Sequence, residues 1–140
     1  MQFFAYKKRH QIKISQVTKT SISHILYGFY GIKCLQAGVV RVNQVEVLRR
    51  IWSKILKRYA KIYIRIFFVF PITTKPILTR MGKGVGNIKE WVCIVKKGSI
   101  LMEINSLDLI KIKKGFSLVL KKAPIPLCLI VRKISLLIKA

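Results

Sequence analysis

Four carboxylate side chains, Glu46, Glu90, Glu103 and Asp108, stand against 28 lysines and arginines, and this imbalance constrains the fold more than any other property of the chain. A formal charge of +24 cannot be neutralised internally, so the compact state repels itself until anions gather around it. Yet 52% of the 140 residues are hydrophobic, a fraction that excludes disorder by composition. One arrangement satisfies both facts: a single domain with a modest apolar core and a cationic exterior turned towards a polyanion.

Several function classes fall away. A membrane-spanning helix needs about 20 predominantly apolar residues. The longest uncharged stretch, Thr20 to Ile32, carries Ser, Thr, His and glycine, and Ile66 to Thr74 and Ala123 to Val131 are interrupted by proline. No integral membrane association is expected. Met1-Gln2-Phe3-Phe4-Ala5-Tyr6 turns basic at once, with neither the apolar core of a secretory signal nor an Arg- and Ser-rich transit segment, so the protein is expected to be made where it works. Cys34, Cys93 and Cys128 lie far apart among apolar neighbours and read as buried thiols. His10 and His24 lack companions at ligand spacing, so no metal or other cofactor is expected. The four acids form no acid/base pair, and an enzyme is not expected.

The pattern along the chain is that of an α+β domain. Tyr6 to Lys19 is a basic arm with little periodicity. Asn43 with Glu46 three residues on predicts a capped helix, with Val45, Leu48, Trp52, Ile55 and Tyr59 forming its inward stripe. Arg49, Arg50, Lys54, Lys57 and Arg58 occupy its other faces, where Glu46 alone offers a partner, and this reads as an anion-binding rather than a merely solvated surface. Lys61 to Phe70 alternates as a strand, and Pro71 and Pro76 then bracket a loop. Trp91 to Val95 and Ile100 to Ile104 predict a hairpin turning at Lys96-Lys97-Gly98-Ser99. A second helix is predicted from a Ser106 cap to Lys122, with Leu107, Ile110, Phe116 and Leu120 inward and a weak point at Gly115. Ala123-Pro124-Ile125-Pro126 ends it, and Leu127 to Val131 is a last strand.

Between Thr73 and Lys89 runs a long connection containing Arg80-Met81-Gly82-Lys83-Gly84-Val85-Gly86. Alternating glycines let the backbone take positive φ and approach a partner closely, while Arg80 and Lys83 bring charge. The spacing matches neither the dinucleotide fingerprint nor the phosphate loop of nucleotide hydrolases. Alone, it is equally the pattern of a mobile basic loop.

Taken in order, the motifs resemble bacterial and organellar large-subunit ribosomal protein sixteen. Tyr30-Gly31-Ile32-Lys33-Cys34-Leu35-Gln36-Ala37-Gly38 is similar to that family's Phe-Gly-x-x-Ala-Leu-x-x-Gly, and Gln44-Val45-Glu46-Val47-Leu48-Arg49-Arg50 to its Gln-Ile-Glu-Ala-x-Arg-Arg. Lys61 to Phe67, Pro71 to Pro76, Arg80 to Gly84, Trp91-Val92, the Gly98-x-x-Leu101-x-Glu103 segment and Lys122-Ala123-Pro124-Ile125 follow in register, covering residues 3 to 131. Phe68-Val69-Phe70 departs from it, standing where the family has a polar Pro-Asp-Lys turn. Val85 replaces a second loop lysine, and the arm lacks the family's glycines.

The resemblance implies a two-layer α+β sandwich of the ribosomal hammerhead type, with two helices on a mixed sheet and a long basic loop. The organisation it suggests is an N-terminal arm over residues 1–20, a single domain over 21–131 and a C-terminal extension over 132–140. It implies a place on large-subunit rRNA at the base of the central protuberance, beside neighbouring ribosomal proteins. The expected rRNA anchors are Lys7, Lys8, Arg9, Lys13, Arg49, Arg50, Lys54, Lys57, Arg58 and Arg65, and Arg80, Met81, Gly82, Lys83 and Gly84 are expected to face tRNA at the aminoacyl site. Phosphate contacts of this kind position a protein without reading sequence. Tyr27, Phe29 and Tyr30 are expected to pack rather than to stack on bases. Divergence and low acidic content point to a mitochondrion, with a plastid as the alternative. The rival readings are a membrane-active basic protein and a stand-alone nucleic-acid binder.

Overall fold

The computed structural model describes residues 8, 24–57, 59–82 and 84–132. In chain order the elements are β1 (Tyr30–Cys34), β2 (Gly38–Arg41), α1 (Val42–Ile55), β3 (Lys61–Ile64), β4 (Phe70–Thr74), β5 (Asn87–Val95), β6 (Ile100–Asn105), α2 (Leu109–Lys122) and β7 (Leu127–Val131). The expected α+β sandwich is present. Its strands form two sheets rather than one mixed sheet: β3-β6-β1-β7 and β2-β5-β4, with every pairing among the described residues antiparallel. One core joins them to the helices, with Ile32, Val40, Trp52, Leu101, Met102, Ile104, Ile112 and Val119 fully buried. Strand β6 is buried along both faces from Ile100 to Ile104, which accounts for its nearly continuous apolar sequence.

The predicted hairpin at Lys96 to Ser99 is instead a crossing between sheets, because β5 pairs with β2 and β4 while β6 pairs with β1 and β3. The turn is pinned to the end of β1. Gly98 N–H donates to Cys34 O at 2.8 Å, and Cys34 N–H donates to Ser99 O at 2.9 Å. Gly98 takes a φ of 90°, which a side chain would resist. The strand expected over Lys61 to Phe70 stops at Ile64, and Pro71 lies inside β4 rather than opening a loop. Strand β4 is the edge of its sheet, where a residue without an N–H is tolerated.

Both helices begin elsewhere than the capping signals suggest. Strand β2 runs straight into α1, so Asn43 falls in the first turn; Arg41 is the capping residue, and its N–H donates to Gln44 Oε1 at 3.0 Å. Val45, Leu48, Trp52 and Leu56 are buried, Ile55 is half-buried, and Tyr59 lies beyond the helix at 87% exposure. Helix α2 is capped at Asp108, whose N–H donates to Ser106 Oγ at 3.3 Å. Its buried stripe is Ile112, Gly115 and Val119; Phe116 packs against the core, but Leu107 and Ile110 are exposed.

The phase of α2 follows from Gly115, which is a contact point rather than a weakness. A Cβ there would stand 2.3 Å from Cζ3 of Trp52, so the two helices meet with the indole laid on the glycine backbone. Trp52 Nε1 is buried and has no acceptor among the described residues, so shape rather than hydrogen bonding holds the ring. Cys34 and Cys93 are buried free thiols and Cys128 is half-buried. Burial, with smaller contributions from the other two cysteines, pushes Cys34 up to about 12, which keeps it protonated.

Gly115→Ala separates this packing from helix propensity. On an exposed helical surface the substitution stabilises by about 1 kcal/mol; here overpacking against Trp52 makes it destabilising by roughly 1–3 kcal/mol. The expected result is a lower urea midpoint, and a rise would mean that the helices part without penalty.

Candidate nucleic-acid interface

The interface is organised from a buried carboxylate outward. Glu103, in the middle of β6, has 0% exposure. It accepts backbone N–H groups from Leu26 at 3.1 Å, Tyr27 at 2.6 Å and Gly28 at 3.1 Å, and a further hydrogen bond from the Arg65 guanidinium. Arg65 also donates to His24 O at 3.0 Å and lies 5.8 Å from the centre of the Tyr27 ring, which meets Tyr63 at 5.4 Å. From the other side, Arg132 N–H donates to Phe29 O at 2.8 Å. Residues 24–29, which lead into β1, are therefore clamped in place. Burial pushes the Glu103 carboxyl up, but the Tyr27 N–H, the Arg65 guanidinium and the Leu26 and Gly28 N–H groups outweigh it and hold the carboxyl below its ordinary range.

Helix α1 presents its cations around one carboxylate. Glu46 accepts from Arg49 Nε at 2.8 Å and Nη2 at 2.7 Å, and from Arg50 Nε at 3.0 Å. These hydrogen bonds lower its pKa to about 2, so the cluster stays ionised at any physiological pH. Two guanidiniums on one carboxylate leave a net positive charge and a restrained fork, which suits phosphate oxygens. Lys54 and Lys57 are exposed nearby, Lys57 in the left-handed region with a φ of 47° that ends the helix.

The glycine segment is the tip of the β4–β5 hairpin, whose last pair is Thr74 with Asn87. Gly82 and Gly84 take φ of 103° and 71° in open space, so the requirement for glycine there is conformational. Gly86 serves a different need, since a Cβ would stand 2.5 Å from Thr74 O across the neck of the hairpin. Lys75 Nζ donates to Gly82 O at 2.6 Å and ties the tip back. Ile77, Leu78 and Met81 are fully exposed, and Arg80 is exposed beside them. Lys8 of the arm lines a cleft of about 490 Å³ with Thr73, Thr74, Lys75, Gly84, Val85 and Gly86.

Of the expected anchors, Arg49, Arg50 and Lys54 lie on α1 and Lys57 just past its end, and Lys8 meets the hairpin rather than the helix. Arg65 is turned inward onto Glu103. Lys7, Arg9, Lys13, Arg58 and Lys83 lie outside the described residues. Tyr30 is buried and Phe29 packs on the core, as expected, while Tyr27 pairs with Tyr63. Sequence reasoning overlooked the exposed Lys111, Lys113, Lys114, Lys121 and Lys122 of α2, although Asp108 is the only acid near them. It also overlooked Glu103 as an organiser; the signal was one carboxylate inside an otherwise apolar strand.

All four carboxylates are matched within the chain: Glu46 to Arg49 and Arg50, Glu90 to Arg41, Glu103 to Arg65 and Asp108 to Lys111. Among the described residues no cluster of three potential metal ligands occurs, and no helix is long and apolar enough to cross a membrane. An α+β sandwich with such an exterior is a domain shaped to lie against a polyanion. Residues 1–130 match the family described as Ribosomal protein L16p/L10e, and the chain belongs to that family. It is 37% identical over 122 residues to the large ribosomal subunit protein uL16 of Buchnera aphidicola subsp. Cinara cedri (strain Cc), covering 87% of this chain and 88% of that one. To the uL16 protein of Wigglesworthia glossinidia brevipalpis it is 42% identical over 103 residues, covering 74% and 76%. The protein is a structural, non-enzymatic component of the large ribosomal subunit, of bacterial type.

Glu103 makes the fold acid-sensitive in a defined direction. Its folded pKa lies below the ordinary 4.5, so its contribution is complete above about pH 4.5 and is lost as pH falls through the folded value. Glu103→Gln should lower stability at neutral pH by about 3 kcal/mol, since it leaves Arg65 without its partner. Urea midpoints of the two proteins are expected to converge on acidification; a gap independent of pH would contradict the charged-hub account.

Proposed function

We propose that the chain binds large-subunit rRNA at the base of the central protuberance and helps position tRNA at the aminoacyl site. The observation that carries this reading is the shared cleft of Lys8 and the glycine hairpin, which brings Lys8 and Lys75 together beside the base of the exposed tip. In this reading residues 1–20 act as an arm threaded into RNA, 21–131 as the docking domain and 132–140 as an extension. Lys7, Lys8, Arg9, Lys13, Arg49, Arg50, Lys54, Lys57 and Arg58 neutralise phosphates and fix orientation. Arg65 acts indirectly, by holding the root of the arm through Glu103. Arg80, Met81, Gly82, Lys83 and Gly84 face tRNA, and neighbouring ribosomal proteins complete the surroundings. Structured RNA is recognised through backbone, 2′-OH and shape, which a donor-rich surface with few acceptors fits. The working compartment is a mitochondrion, with a plastid as the alternative.

Gradient sedimentation with quantitative mass spectrometry tests the anchors. Replacing Arg49, Arg50 and Lys54 together by Ala should reduce occupancy of the large subunit and lower the salt slope of rRNA-fragment binding by about 3. Unchanged occupancy would remove α1 from the interface. Arg80→Ala with Lys83→Ala should leave occupancy near normal and slow tRNA accommodation in a single-turnover assay. Loss of occupancy from that pair would make the hairpin an anchor instead.

A further inference from the structure

The α1–α2 layer carries a feature that phosphate neutralisation does not use. Between the helices lies an open groove of about 250 Å³ lined by Ile51, Ile55 and Leu118 and by Lys54, Lys121 and Lys122. Long lysine side chains lay their methylene stems along apolar surface and keep the ammonium in water, so the groove is aliphatic below and cationic at its rim. Every carboxylate side chain is paired elsewhere, so among the described residues none offsets these three lysines.

Phosphates alone gain nothing from an aliphatic floor. An apolar protein segment would strip water from three ammonium groups and offer no countercharge, which is costly. A lipid bilayer takes up a protruding apolar face, whereas this surface is recessed. The remaining chemistry is a ligand with a flat apolar face flanked by anions. The volume falls below the roughly 300–1,000 Å³ of drug-sized ligand sites and suits one ring system rather than an extended molecule. We propose that this groove receives a single unpaired RNA nucleotide, its base lying on Ile51, Ile55 and Leu118 and its flanking phosphates against Lys54, Lys121 and Lys122. Unstacked bases of bulges and loops are the parts of RNA most often read by proteins, and contact with the face of a base tolerates any sequence. The inference rests on the rRNA reading above and adds to it a preference for irregular over continuous duplex.

The test uses the full-length protein and two RNA hairpins with the same stem, one carrying a single-nucleotide bulge, compared by fluorescence anisotropy at physiological salt. The bulged hairpin should bind on the order of fivefold to tenfold more tightly, the gain expected from burying one base face. Leu118 is half exposed, so Leu118→Asn leaves the core alone and should bring the bulged hairpin to the level of the plain one. Photo-crosslinking from the bulged nucleotide should label peptides of α1 or α2. Equal affinity for the two hairpins, or a preference that survives Leu118→Asn, overturns the groove assignment while leaving the rRNA reading intact. Failure to bind either hairpin overturns both. Binding to phosphatidylserine-containing vesicles that Leu118→Asn abolishes, with no preference between hairpins, assigns the groove to anionic lipid instead.

Discussion

The Glu103–Arg65 pair is the constraint on which the rest of the structure hangs. A charge in the middle of a strand buried on both faces is tolerable only if its oxygens are saturated with donors. Three consecutive N–H groups, from Leu26 to Gly28, and one guanidinium meet that need. Satisfying the carboxylate therefore draws together the segment preceding β1, the chain leaving β3 and the centre of β6. A fold that must solve this local problem has little freedom in where the segment preceding β1 lies.

The same logic governs the other acids. Each is matched to a cation of the same chain, so even the exposed Asp108 carboxylate is partly neutralised by its neighbour. In the Glu46 cluster an acid restrains two arginines that would otherwise sample many rotamers. Exposed Ile77, Leu78 and Met81 and the lysine-rimmed groove add apolar surface to this cationic exterior. Charge supplies attraction at a distance, and these recessed or projecting apolar groups act only at contact.

Much of this was legible in the residues. The two helices, the inward face of α1 around Trp52, strands β3, β5, β6 and β7 and the positive φ of Gly82 and Gly84 followed from periodicity and turn chemistry, whereas β1 and β2 were not foreseen and the segment of β4 reads as a loop. What escaped notice has physical causes. Gly115 has no side chain to count in a hydrophobic pattern, so the stripe of α2 was phased one step wrong. Lys96 to Ser99 has the composition of a hairpin turn, and only its hydrogen bonds to Cys34, distant in sequence, send β6 into another sheet. Arg65 reads as an outward cation until Glu103 is found beneath it. Asn43 is a good capping residue overruled by β2, which runs into the helix without a loop.

Strand β1 lies between β6 and β7, with Tyr30 opposite Ile104 on one side and Val131 on the other. The centre of the four-stranded sheet thus comes from early in the chain and both its neighbours from the end. Pairings this distant impose a large loop-closure cost and slow folding. During synthesis the first strand has no partner until β6 has emerged, so the sheet closes late. The newly made chain accordingly passes through a period in which its cations and its unpaired strands are both open to whatever polyanion is nearest, and folding and assembly become competing clocks.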